Sequence, residues 1–70
     1  MTENVTNKVY VFRSKKGITQ EVLAEKMQVS RQTIIAIEKG NYTPSVLLAL
    51  KLAVFFSVSV DKIFKISYEK

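Results

Sequence analysis

Thr19-Gln-Glu-Val-Leu-Ala-Glu-Lys-Met-Gln-Val-Ser-Arg-Gln-Thr-Ile-Ile-Ala-Ile-Glu-Lys39 holds two helix start signals and one break between them. Thr19 is an N-cap residue, Glu21 sits in the first turn where a negative charge is favoured, and Val22, Leu23 and Met27 supply a buried side. That helix ends near Met27. After Gln28-Val29-Ser30, Ser30 is the next N-cap, and a second helix runs Arg31–Lys39 until Gly40 stops it. Two helices this short and this close cross steeply, so their contact positions must be apolar or small. Leu23, Ala24, Met27, Val29, Ile34 and Ile37 form that set, with Ala24 placed where the second helix passes closest.

Outward from this stretch, Gly17, Gly40 and Pro44 divide the chain into further short blocks. Lys8–Lys16 reads as a first helix, with Val9, Phe12 and Lys16 on one side, basic residues in the last turn and Gly17 beyond it. The run Val9-Tyr10-Val11-Phe12 opposes that reading, because its residues favour strands. Pro44 or Ser45 opens a fourth helix to Phe56, and Ser59 caps a short fifth one through Phe64. Phe64–Tyr68 alternates apolar and polar as a half-buried strand does, and Val5–Val9 is its candidate partner. The expected fold is all-α, with five helices and a small two-stranded sheet formed by the terminal segments, over one domain, residues 1–70.

The inventory of residues excludes most chemistry. Seventy residues without Cys or His leave no disulfide framework, thiol nucleophile, imidazole base or zinc ligand set. One Asp and five Glu offer little for carboxylate catalysis, so no enzyme activity, cofactor or metal is expected. Eleven Lys and Arg against six acids give a formal charge of +5, which favours a polyanionic partner. Met1-Thr2-Glu3-Asn4 has neither the basic nor the apolar region of a signal peptide, and Val46–Val60 is too short and too interrupted to span a membrane. The cytoplasm is the expected compartment.

Two short helices joined by a tight turn in a basic domain form the helix-turn-helix arrangement. The stretch Gly17–Gly40 resembles the Cro and phage-repressor (XRE-type) helix-turn-helix regulators, and the likeness continues through Pro44-Ser45, Val58-Ser59-Val60-Asp61 and Ile63-Phe64. The resemblance implies a five-helix lambda-repressor-like DNA-binding domain. It places Thr19 and Gln20, at the start of the second helix, against a DNA phosphate. It also pairs Arg13 with Glu38 in a partly buried ion pair that fixes the recognition helix. At 100° per residue, Ile34, Ile37 and Glu38 of the Arg31–Lys39 helix share the inner face, and Gln32, Ile35, Ala36 and Lys39 the outer one. Arg31 suits guanine, Gln32 suits adenine, and Ile35 and Ala36 suit thymine methyls in a major groove. Ser30, Asn41, Tyr42 and Thr43 flank that helix and, with Thr33 and Lys39 on it, are the further candidates for phosphate contact.

Three positions depart from the family pattern. Gln28 and Ser57 stand where glycine is usual, and a left-handed conformation there costs roughly 1–2 kcal/mol. Ile35 stands, exposed, where a polar residue is common. The fourth helix is apolar all round, with Lys51 the only charge between Val46 and Phe56. Ser45, Ala49, Leu52, Ala53 and Phe56 cover the core, which leaves Leu47, Leu50, Val54 and Phe55 without an internal layer to bury them. A homodimer through residues 45–70, using these four with Phe64 and Ile66, is the expected solution. Together these features describe a dimeric transcriptional regulator, a repressor, that reads a pseudo-palindromic double-stranded operator. The alternative is a protein-interaction module of antitoxin type, with the apolar fourth helix binding another protein. Membrane-surface binding is disfavoured because no helix separates Lys from apolar residues cleanly.

Overall fold

The computed structural model describes residues 2–69, so the ends of the expected 1–70 domain, Met1 and Lys70, lie outside the described residues. In chain order the elements are β1 (Thr2–Asn7), α1 (Val9–Lys16), α2 (Gln20–Met27), α3 (Arg31–Glu38), α4 (Val46–Phe56), α5 (Val60–Ile63) and β2 (Phe64–Glu69). Three helices begin on a hydroxyl that accepts the amide left free in their first turn. Thr19 Oγ1 accepts from Val22 N at 3.1 Å, Ser30 Oγ from Thr33 N at 3.2 Å, and Ser45 Oγ from Leu48 N at 3.2 Å. The stops are left-handed residues: Gly17, Gln28 and Ser57 close α1, α2 and α4. Gln28 (φ 62°) and Ser57 (φ 58°) adopt this conformation without being glycine. Lys51, the lone charge of α4, compensates at the first of them by donating from Nζ to the carbonyl of Met27 at 2.7 Å. Lys39 caps α3 in a right-handed conformation, so the helix expected over Arg31–Lys39 ends at Glu38.

The core is made by Val9, Leu23, Ala24, Met27, Ile34, Ile37, Leu48, Leu52, Ala53, Phe56 and Ile63. Each of the large members contributes roughly 1.5–3 kcal/mol by leaving water. Phe12 packs on Phe56 with centroids 5.7 Å apart, and Phe55 meets Phe56 edge-on at 5.2 Å. The strand-favouring run Val9–Phe12 is helical because its first residue is fully buried among the other helices, which outweighs a propensity difference of about 1 kcal/mol. Val22, expected inside, is exposed, and Val29 is half-buried. On α4 the inner face is Leu48, Leu52, Ala53 and Phe56; Ser45 acts as the cap and Ala49 lies at the margin.

The two strands pair antiparallel in the register Val5↔Ile66 and Asn7↔Phe64. The partner strand is therefore Thr2–Asn7 and not Val5–Val9, and Asn7 is the reason. Its Oδ1 accepts from Val9 N at 3.1 Å, which turns the chain from strand into helix, while its Nδ2 donates to the carbonyl of Ile37 at 2.8 Å. Asn7 thus ties the ribbon to the end of α3. The fifth helix stops at Ile63, one residue short of the expected end, because Phe64 is already extended and paired.

Arg13 of α1 and Glu38 of α3 form the ion pair that the family resemblance implied. Arg13 Nε donates to Glu38 Oε2 at 2.6 Å and Nη2 to Oε1 at 3.1 Å, while Nη1 reaches the carbonyl of Ile18 at 2.9 Å. Only 13% of Arg13 and 7% of Glu38 is exposed. The hydrogen bond to Glu38 is the main reason the guanidinium pKa is raised above its ordinary value. Gln20 Nε2, from α2, adds a third donor to Glu38 Oε1 at 3.0 Å. One carboxylate therefore joins three helices.

Two outcomes follow for urea unfolding. Replacing Gln28 by Gly removes the left-handed strain and raises stability by about 0.5–1 kcal/mol, after allowing for the greater chain entropy of glycine. Arg13→Ala or Glu38→Ala leaves a buried charge without its partner and costs about 3 kcal/mol. The joint replacement of Arg13 by Met and Glu38 by Leu costs less than either single change. Additive losses on combining Arg13→Ala with Glu38→Ala would show that the pair does not act as a unit.

Candidate nucleic-acid interface

The candidate interface is built on the first turn of α3. The hydroxyl cap at Ser30 sets where the helix starts, and Ser30 Oγ and Thr33 Oγ1 hold each other at 2.9 Å. Burial of Ile34 and Ile37 then fixes the rotation of the helix, so that Arg31 and Gln32 stand exposed at its N-terminal end. Among the described residues neither side chain hydrogen-bonds to the protein, so both are free to donate. Ile35 and Ala36 are half-buried, so the exposed Ile35 expected from the departure at that position is not observed. The helix is short and packs on both α1 and α2.

A depression of about 410 Å³ lined by Arg13, Thr19, Gln20, Glu21 and Arg31 lies between the starts of α2 and α3. It brings the candidate phosphate residues Thr19 and Gln20 beside Arg31, in one patch. Thr19 Oγ1 already accepts the Val22 amide, and Gln20 is held by Glu38. Each therefore offers only its remaining polar atoms outward. Thr33 is half-buried and bonded to Ser30, so of the candidates on α3 it is the most internally satisfied.

Lys39, Asn41, Tyr42 and Thr43 are all exposed in the loop between α3 and α4. A second depression, of about 370 Å³, runs beside them and is lined by Asn4, Val5, Thr6, Asn7, Glu38, Lys39, Gly40 and Thr43. Sequence reasoning had not linked strand β1 to this loop. The available signal was Asn7, a side chain able to cap the helix that follows it; its second bond, to Ile37, depends on tertiary packing.

The candidate dimer residues differ in exposure, with Leu50, Val54 and Phe55 brought together around one apolar groove. Leu47, Leu50 and Val54 make an exposed stripe on α4, flanked by Val46. Phe55 and Phe64 are half-buried against the chain's own core, and Lys16 Nζ sits 5.0 Å from the Phe55 ring. Ile66 is exposed on the ribbon. Among the described residues there is no group of acidic, His or Cys side chains able to hold a metal. No helix there is long and apolar enough to cross a membrane.

The helix-turn-helix family model matches residues 11–63. An uncharacterised HTH-type transcriptional regulator of Methanocaldococcus jannaschii, MJ0272, is 57% identical over 58 residues, covering 83% of this chain and 88% of that one. The HTH-type regulator YgzD of Bacillus subtilis, also uncharacterised, is 48% identical over 63 residues, 90% of this chain and 96% of that one. Among solved structures, the restriction-modification controller protein of Aeromonas hydrophila superposes with a TM-score of 0.70 at 28% identity, covering 77% and 78% of the two chains. The family consists of DNA-binding regulators without enzyme chemistry. With its capped helix pair, buried Arg13–Glu38 link and matching span, this chain belongs to the helix-turn-helix family of transcriptional regulators.

Proposed function

We propose that the chain is a homodimeric, sequence-specific repressor that inserts α3 into the major groove of a pseudo-palindromic operator. The observation that carries this reading is the contrast between two arginines and two glutamines. Arg13 and Gln20 are committed to Glu38, whereas Arg31 and Gln32 are exposed and unbonded at the turn of α3 that reaches base edges first. Arg31 reads guanine and Gln32 reads adenine; Ala36 and the exposed part of Ile35 meet thymine methyls. Thr19, Gln20 and Ser30 face phosphates on one side of the groove, and Thr33, Lys39, Asn41, Tyr42 and Thr43 on the other. Occupying an operator is enough to repress, and the cytoplasm is where such an operator is met.

The whole chain acts as one DNA-binding unit, with residues 19–39 reading and 45–70 dimerising. Leu47 and Val54 on α4 are 69% and 79% exposed, and Val46 is 76% exposed. A two-fold axis through this stripe buries it against its own copy and sets the two α3 helices about 34 Å apart, one turn of DNA. An apolar groove of about 400 Å³ lined by Met27, Leu50, Lys51, Val54 and Phe55 lies in the same surface. It equally favours the second reading, an antitoxin-type module whose α4 surface binds a different protein.

Selection from a random DNA pool should enrich a symmetric site with half-sites one turn apart; enrichment of no motif would overturn the reading. On the selected site, Arg31→Ala and Gln32→Ala should each cost roughly 1–3 kcal/mol and relax one base position. Lys39→Ala should weaken all sequences alike and flatten the salt dependence by about one unit. In sedimentation, Leu50→Glu with Val54→Glu should convert a micromolar dimer to a monomer and weaken operator binding at least tenfold. A wild-type monomer that copurifies with a stoichiometric protein would favour the antitoxin-type reading.

A further inference from the structure

The family model spans residues 11–63 and leaves out both strands, so the terminal ribbon needs its own account. A two-stranded sheet is marginal in water unless it packs on something. This one is anchored at one end only. Asn7 bonds to Ile37, the amide of Lys8 donates to the carbonyl of Ile63 at 2.9 Å, and Phe64 packs on the core. The ribbon therefore moves with the end of α3. Strand alternation puts Asn4 and Thr6 on one face, and the register adds Lys65 and Ser67 to it. Glu3, Val5, Ile66 and Tyr68 point the other way.

Strand β1 lines, with Asn4, Val5, Thr6 and Asn7 from both of its faces, the groove that Lys39, Gly40 and Thr43 close from the opposite side. Its one acid, Glu38, is matched by Arg13 and Gln20. Lys39 supplies a charge with no ion-pair partner among the described residues, and Lys65 stands opposite Thr6 in the ribbon. The side chains of Asn4 and Thr43 make no hydrogen bond among the described residues, and Thr6 Oγ1 makes only a long one, 3.5 Å to the carbonyl of Lys65. The backbone amides of Tyr42 and Thr43 likewise find no acceptor there. Donors of this kind, beside Lys39 and with Glu38 already neutralised by Arg13, suit an anionic backbone, and they lie away from the first turn of α3 that reaches base edges.

We propose that the β1–β2 ribbon is a second contact to the DNA backbone: the phosphate strand that crosses the Lys39–Thr43 loop continues over Asn4, Thr6 and Lys65. The proposal rests on the DNA-binding reading of α3. Six residues of strand reach about 20 Å, enough to follow several phosphates, which succeed one another about every 3.4 Å along the axis of each strand. The ribbon adds affinity and orientation to the complex, and sequence discrimination stays with α3.

The full-length chain and its selected operator provide the test, with hydroxyl-radical footprinting and binding measured across salt concentrations. Asn4→Glu with Thr6→Glu should weaken binding about tenfold and erase protection of the sugars beside the α3 half-site, leaving the half-site protection in place. Asn4→Lys with Thr6→Lys should tighten binding and steepen the slope of log K against log salt by about 1.8. Thermal melts of both variants separate these effects from unfolding, and the Lys variant decides the matter if the Glu variant fails to fold. Variants within twofold of wild type, with an unchanged footprint, would overturn the ribbon contact while leaving DNA binding by α3 intact. A wild-type chain that enriches no operator would overturn both.

Discussion

The carboxylate of Glu38, received by Arg13 and Gln20 where three helices meet, is the contact on which the arrangement of the motif depends. Apolar burial holds α2 and α3 together, but burial is non-directional and tolerates sliding. A two-pronged guanidinium grip on a carboxylate does not, because its geometry is specific. Since both groups are largely removed from water, loss of either leaves the other uncompensated. The same grip has a consequence for charge: Arg13 and one of the two amide hydrogens of Gln20 are engaged inside the protein. The first turn of α3 stays exposed, and under the proposed reading the +5 net charge is a general attraction and not the element that reads bases.

A second constraint comes from size. A chain of this length buries little, and α4 has more apolar surface than one layer can cover. Leu48, Leu52, Ala53 and Phe56 take the inside, while Lys51 is drawn in to cap the carbonyl at the end of α2. That bond sits beside the left-handed Gln28, so the one charge on α4 steadies the turn whose residue type is least suited to it. The turn between the two motif helices is therefore held from a distant part of the chain.

Much of the candidate site was legible because it is local. Caps at Thr19, Ser30 and Ser45, the stops at Gly17 and Gly40, and the positions of Arg31 and Gln32 follow from side-chain chemistry and helical period within a few residues. The illegible parts are those in which a side chain has two possible partners. The bond from Gln20 to Glu38 is one that no local rule foretells, since a 3.0 Å contact between helices depends on their crossing. Val22 and Ile35 depart from the helical wheel because an ideal wheel places residues by angle alone, and tertiary packing decides how far burial spreads around it. Phe55 and Phe64 of the candidate dimer set are half-buried against the chain's own core for the same reason.

The sequence by itself determined the number and order of the helices, the capped pair at 19–39, the basic first turn of α3, and the surplus of apolar residues on α4. These rest on short-range rules: periodicity, capping and the conformational preferences of single residues. Tertiary structure alone decided that Val9 would begin a helix and not end a strand, that Asn7 would bind β1 to the end of α3, and that the ribbon would lie along the Lys39–Thr43 loop. Each of these joins residues far apart in the chain, and such contacts form only after burial has fixed where the helices lie.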